Sequence, residues 1–149
     1  MMQRGKIMKR VLFVCTGNTC RSPMAELIFN KIAREKGINA HAQSAGLCTI
    51  EGLLINDNSK EALAEIGIES DFFRSTDIYD LDLDSFDLVV GMTNEHLAEL
   101  LTMNIDRSKV CMLGKKSGGV ADPYGSSLGV YKACRDEIIN SLEEIINKL

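Results

Sequence analysis

The sequence predicts an α/β fold: a single domain built on a doubly wound, four-stranded parallel sheet with helices on both faces. Three observations carry that prediction. Short β-branched runs alternate with longer stretches of helical apolar spacing, the order expected of parallel strands joined by crossover helices. The chain has 149 residues, which suits one domain, and neither an internal repeat nor a Pro-rich linker divides it. Apolar residues make up 45% and charged residues 26%, so a packed core is expected rather than disorder.

Residues 1–8 are polar and basic without periodicity. They are expected to be a flexible extension before a domain over residues 9–149, with Met8 as an alternative start. Residues 10–14 (Arg-Val-Leu-Phe-Val) read as a buried strand. Ser22 and Pro23 then open a helix, since serine is a good N-cap and proline in the first turn loses no needed N–H. Leu27, Ile28, Ile32 and Ala33 give this helix an apolar stripe, and Gly37 stops it. Residues 38–45 form a second strand, and residues 59–66 a short helix closed by Gly67. A third strand over 88–91 leads to a helix over 94–103, and a fourth strand over 110–113 to a long Gly-rich segment over 114–129. The last helix carries Val130, Cys134, Ile138, Leu142, Ile145 and Leu149 on one face.

Several function classes are excluded early. With 17 basic and 21 acidic side chains the net charge is −4, which supplies no basic field for nucleic acid. No apolar run is long enough for a signal-peptide core or a membrane span, so a cytoplasmic protein without a membrane partner is expected. The five cysteines are odd in number and scattered, which does not make a disulfide framework. No Cys-x-x-Cys occurs, and His41 and His96 lie at no metal-ligand spacing, so neither a metal nor a cofactor is expected. Asp80, Asp82 and Asp84 lack the turn glycine and closing glutamate of a calcium loop and read as a solvated acidic stretch. His96 reads as an exposed helix residue, Cys111 and Cys134 as core, and Cys48 has no assigned role.

In doubly wound sheets ligands bind beyond the carboxyl ends of the strands, so the loop after the first strand is the place to look. It reads Cys15-Thr16-Gly17-Asn18-Thr19-Cys20-Arg21-Ser22-Pro23. With one glycine and no Lys-Ser/Thr pair it is neither a Walker loop nor a dinucleotide fingerprint. Its physics is that of an anion cradle: backbone N–H groups curl toward the N-terminus of a helix whose dipole adds positive potential. Gly17 permits a positive φ and Asn18 tolerates one. Arg21 offers a planar fork to a tetrahedral oxyanion. These groups, with the Ser22 hydroxyl, would favour a Cys15 thiolate, a nucleophile held beneath a bound phosphoryl group. A phosphocysteine reaction also needs an acid and then a base, and Asp122-Pro123-Tyr124 follows the fourth strand toward the same rim. Pro123 stiffens the chain after Asp122, and Tyr124 offers an aromatic wall.

Taken together, residues 14–26 (Val-Cys-Thr-Gly-Asn-Thr-Cys-Arg-Ser-Pro-Met-Ala-Glu), Ser44-Ala45-Gly46 and Asp122-Pro123-Tyr124 resemble the low-molecular-weight protein tyrosine phosphatase family over nearly the whole chain from about Met8. The resemblance implies a flavodoxin-like, phosphotyrosine protein phosphatase I-like sheet and a metal-independent enzyme acting on a phosphorylated protein substrate. It implies Cys15 as nucleophile, Arg21 as phosphate clamp and Asp122 as general acid and then base. Thr16, Gly17, Asn18, Thr19, Cys20 and Ser22 would line the phosphate loop, with Tyr124 at the substrate and Ser44 bracing Asn18 and Ser22 from behind. Where tyrosine-specific members usually carry a bulky aliphatic residue, this chain has Thr19, as do the bacterial protein arginine phosphatases it most resembles. A smaller polar wall suits a guanidinium group; phosphotyrosine is the alternative. Several members trap an oxidised nucleophile with a neighbouring cysteine, a role open to Cys20 beside the plainer one of a packed small residue. Many relatives carry a histidine after the second helix, whereas residues 71–75 here have none. An arsenate reductase is disfavoured because no cysteine occurs between Cys48 and Cys111. A phosphoryl carrier or non-catalytic phosphate-binding module would not need Cys15, Arg21 and Asp122 together. A monomer is expected.

Overall fold

The computed structural model describes residues 7–149, so most of the expected N-terminal extension lies outside the described residues. Strands β1 (Lys9–Cys15), β2 (Ala40–Gly46), β3 (Leu88–Gly91) and β4 (Val110–Met112) lie parallel in the order β2-β1-β3-β4. Alternate side chains of β1 feed two cores, as a strand buried on both faces requires. Val11 and Phe13 join a cluster that holds Met24, Ile28 and Phe29 of α1 (Arg21–Lys36), Leu63 of α2 (Asp57–Glu65) and Ile138 of α4 (Leu128–Ile146). Leu12 and Val14 join a second cluster with Ile78, Phe86 and Leu100, the last from α3 (Asn94–Leu101). Phe13 and Phe29 meet as a tilted aromatic pair, centroids 5.9 Å apart, which locks α1 across β1.

Because β2 and β3 flank β1 on opposite sides, the strand order reverses at β1 and leaves a crevice beyond its carboxyl end. Cys15 is the last residue of β1, in register with Gly46. That closeness needs a glycine: a Cβ at Gly46 would stand 2.7 Å from the Thr16 carbonyl oxygen.

The expected elements are present, with shifted ends. The second strand begins at Ala40 rather than Ile38, because Gly37 (φ 66°) closes α1 and the Ile38 N–H caps the Ala33 carbonyl. Asn56 caps α2, its Oδ1 accepting from the Asn58 N–H at 2.9 Å, so that helix starts two residues early. Ser22 is not an N-cap. The cap position is Cys20, without a side-chain bond, and Ser22 and Pro23 are the second and third residues of α1. On α4, Val130 is 45% exposed and Tyr131 turns to the core in its place. Cys134 is buried as expected, whereas Cys111 on edge strand β4 is half-buried. Asp80, Asp82 and Asp84 lie in 3₁₀ turns, where Asp82 caps the Asp84 N–H. Among the described residues, no helix is long and apolar enough to cross a membrane.

Candidate active site

The loop between β1 and α1 closes on itself through buried side chains. Asn18 is the one non-glycine residue with positive φ (56°) among the described residues, and its amide explains how that conformation is held. Its Oδ1 accepts from the Thr76 N–H at 2.8 Å, while Nδ2 donates to Ser22 Oγ (2.8 Å) and Ser44 Oγ (2.9 Å). Ser44 passes its own hydrogen to Glu26 Oε1 at 2.6 Å. Since Asn18 supplies a hydrogen to Ser22 Oγ, the Ser22 hydroxyl hydrogen is free for Cys15 Sγ, 2.9 Å away. The Asn18 N–H also points at that sulfur, at 3.3 Å. The sulfur therefore sits in a donor cradle although the residue is buried.

Charge is arranged around the same point. The first N–H groups of α1 have no intrahelical partner, and its first turn carries neither a side-chain cap nor an acidic residue. Arg21 adds a cation where the helix dipole is already positive, an arrangement that an incoming anion relieves. Arg21 is 4% exposed, and its guanidinium is fixed by Nη1 donating to the Val120 carbonyl at 3.0 Å. Val120 is itself pinned to the end of β3, its N–H donating to the Met92 carbonyl at 2.6 Å. Gly119 (φ 103°) makes this approach possible, because a Cβ there would meet that same carbonyl at 2.7 Å. Two residues on, Asp122 Oδ2 stands 3.8 Å from Arg21 Nη2, and Oδ1 accepts from the Tyr124 N–H at 3.0 Å. Cys15, Thr16, Gly17, Thr19, Cys20, Arg21, Asp122 and Tyr124 together line a cleft of about 210 Å³.

The chain pattern agrees with this geometry. The family described as low molecular weight phosphotyrosine protein phosphatase matches residues 10–149. The chain belongs to this family. It is 37% identical to the protein-arginine-phosphatase of Bacillus subtilis over 145 residues, covering 93% of this chain and 95% of that one. Its fold superposes on a low molecular weight protein tyrosine phosphatase from T. tengcongensis with a TM-score of 0.88 and 38% identity, covering 95% of this chain and 99% of the other. It also superposes on the YwlE arginine phosphatase, solved as a Cys-to-Ser variant with a phosphorylated active-site serine, with a TM-score of 0.82 and 35% identity over 94% and 95% of the two chains.

In this phosphatase the sequence-predicted residues Cys15 to Ser22, Ser44, Asp122 and Tyr124 come together at one end of the sheet. Cys20 is a free, buried thiol whose sulfur lies 3.6 Å from the Tyr131 hydroxyl, and burial pushes its pKa up. Two residues gain a place the sequence did not reveal. Glu26 ends the Asn18–Ser44 chain, and its burial raises its carboxyl pKa to about 7 against the Ser44 hydrogen bond, which lowers it. His96, expected to be exposed, is buried, with Nε2 2.9 Å from Thr16 Oγ1. The reason is the first turn of α3, which lies tight on β3: a Cβ at Gly91 would meet the His96 Cβ at 3.1 Å. A glycine ending a strand just before a capped helix was the available signal. Cys48, unassigned from sequence, is exposed and lines, with His96, a neighbouring cleft of about 530 Å³ that shares Thr16, Arg21 and Asp122. Among the described residues, no group of three or more His, Cys, Asp or Glu side chains is placed to hold a metal ion.

Proposed function

We propose that this protein phosphatase works through a phosphocysteine on Cys15 and that its preferred substrate is phosphoarginine in proteins. The observation that carries the reading is the Cys15 sulfur held by the Asn18 N–H and the Ser22 hydroxyl, under an uncapped helix terminus, with Arg21 and Asp122 on the same cleft. Arg21 and the loop N–H groups grip the phosphoryl oxygens and stabilise them in transit. The Cys15 thiolate attacks phosphorus as the P–N bond breaks, and Asp122 gives its proton to the departing guanidine nitrogen. Water then attacks the phosphocysteine, Asp122 takes the water's proton, and the P–S bond breaks to restore the thiolate and release phosphate. The reaction as written needs no cofactor or metal.

Thr19 supports the preference for arginine. It lines the same cleft as Tyr124, half-buried, and its carbonyl is tied to the Asn56 N–H at 2.9 Å, which fixes its backbone at the wall. A guanidinium must be hydrogen-bonded on entry, which a threonine can do and an aliphatic residue cannot. Phosphotyrosine is the second reading, favoured by the exposed Tyr124 ring at the mouth and by the likeness to a tyrosine phosphatase.

Kinetics on paired phosphoarginine and phosphotyrosine peptides, in EDTA, test both levels. Wild type should hydrolyse phosphoarginine faster and Cys15→Ser neither. Thr19→Ile should shift the ratio toward phosphotyrosine by roughly tenfold to a hundredfold. Hydrolysis by Cys15→Ser would end the covalent reading; equal losses on both peptides for Thr19→Ile would end the arginine preference.

A further inference from the structure

The buried His96 has no part in the chemistry above, yet it touches the phosphate loop. Its backbone is held in the first turn of α3: the His96 main-chain N–H donates to Thr93 Oγ1 at 3.2 Å, and Gly91 leaves the space its Cβ occupies. Burial first, and the Arg21 charge next, bring its pKa down to about 4, against the opposing pull of Glu95 and Asp122. Above that pH the ring is neutral and carries one N–H.

Where that hydrogen sits follows from the surroundings. Nδ1 is buried with no partner. A hydrogen on Nδ1 would be a buried donor without an acceptor, the rarer and costlier orphan. On Nε2 it meets Thr16 Oγ1 at 2.9 Å. The ring therefore donates to Thr16 through Nε2–H, and the Thr16 hydroxyl hydrogen turns away from the ring. Thr16 is exposed on the ridge between two clefts, one over Cys15 and one over His96. We propose that His96 is a positioning residue that holds the Thr16 hydroxyl as a hydrogen-bond donor into the cleft over Cys15, directed at a phosphoryl oxygen. This inference rests on the phosphatase reading above.

The test is a double-mutant cycle on a chromogenic aryl phosphate, with inorganic phosphate as competitive inhibitor and a thermal melt of every variant. Thr16→Val should lower kcat/KM by about tenfold to a hundredfold and weaken phosphate inhibition, the effect of one hydrogen bond to a charged group. His96→Leu should cost a similar factor, and His96→Gln, whose amide can donate to the same oxygen, should recover most of it. In the Thr16→Val background His96→Leu should change kcat/KM by less than about twofold. A His96→Leu loss that persists in full in that background would make the histidine merely structural and overturn the proposal. Nitrogen NMR of the His96 ring in wild type gives a readout independent of activity, and it decides the matter if His96→Leu does not fold. Protonation at Nε2 supports the proposal and protonation at Nδ1 refutes it. Should wild type prove no more active than Cys15→Ser, the phosphatase reading fails, while the ring measurement still judges the His96–Thr16 bond.

Discussion

The loop at residues 15–22 and the segment at residues 120–125 face each other across one cleft and are built in contrasting ways. In the loop, Asn18 and Ser22 are fully buried, and every polar atom of the Asn18 amide has a partner. In the segment, the Asp122 side chain is 56% exposed and Tyr124 74%, and one Asx-type bond plus a 3.8 Å approach to Arg21 restrain the carboxylate. The difference matches the two proposed tasks. Donors that stabilise a fixed charge work best when they need not reorganise, so they are locked. A group that must give a proton to a departing side chain and then take one from water has to be reachable by both.

The sharpest way to break this comparison is to remove the proton from the exposed side. Asp122→Asn should lower kcat by roughly 10²–10⁴-fold while leaving stability within about 0.5 kcal/mol, because the residue is exposed and makes few contacts. A stopped-flow trace and a melting curve on the same sample check both halves. A large loss of Tm would mean that the segment is structural after all.

Asn18→Ala attacks the rigid side and should do the reverse. It strands the half-buried Thr76 N–H and takes a hydrogen from Ser22 and Ser44, and it leaves alanine at a positive φ. The expected cost is roughly 2–4 kcal/mol of stability, together with a fall in kcat/KM, read by denaturant unfolding and steady-state kinetics. Unchanged stability would contradict the idea that the amide holds the loop.

The smallest effect should come from Glu26, at the far end of the same hydrogen-bond chain. Its carboxyl pKa is raised from 4.5 to about 7 on folding, so the folded state binds the extra proton. The stability tied to that proton is fully present below pH 4.5 and is lost as pH rises through about 7. Glu26→Gln cannot lose it, and its Oε1 can still accept from Ser44. The variant should match wild type near pH 4.5 and exceed it at pH 8, by on the order of 1–3 kcal/mol, in melts across that range. A gain at low pH instead would reverse the sign and remove the argument.

Much of this arrangement was legible in the sequence because its signals are local. A β-branched run before Cys15, Gly17 and Asn18 inside the loop, and Pro23 after it place a strand, a curled turn and a helix within fourteen residues, and alternation of elements brings Asp122 to the same rim. What stayed hidden depends on partners far along the chain. His96 meets Thr16 across 80 positions, and Glu26 meets Ser44 across 18. Helical spacing alone does not say which face of the one-turn start of α3 or α4 is covered, which is why His96 and Tyr131 turn inward against expectation. Ser22 has the right chemistry for a cap and is taken instead by Asn18 and Cys15, since a buried sulfur cradle outbids solvent-side capping.

The most direct test of the central claim is to look for the covalent intermediate. Asp122→Asn and wild type would be mixed with an aryl phosphate, quenched in alkaline denaturant and mapped by peptide mass spectrometry. A phosphoryl group on Cys15, more abundant in Asp122→Asn because the water step lacks its base, is the predicted result. Continued hydrolysis with Cys15 unmodified, or with the phosphoryl group on another side chain, would contradict it.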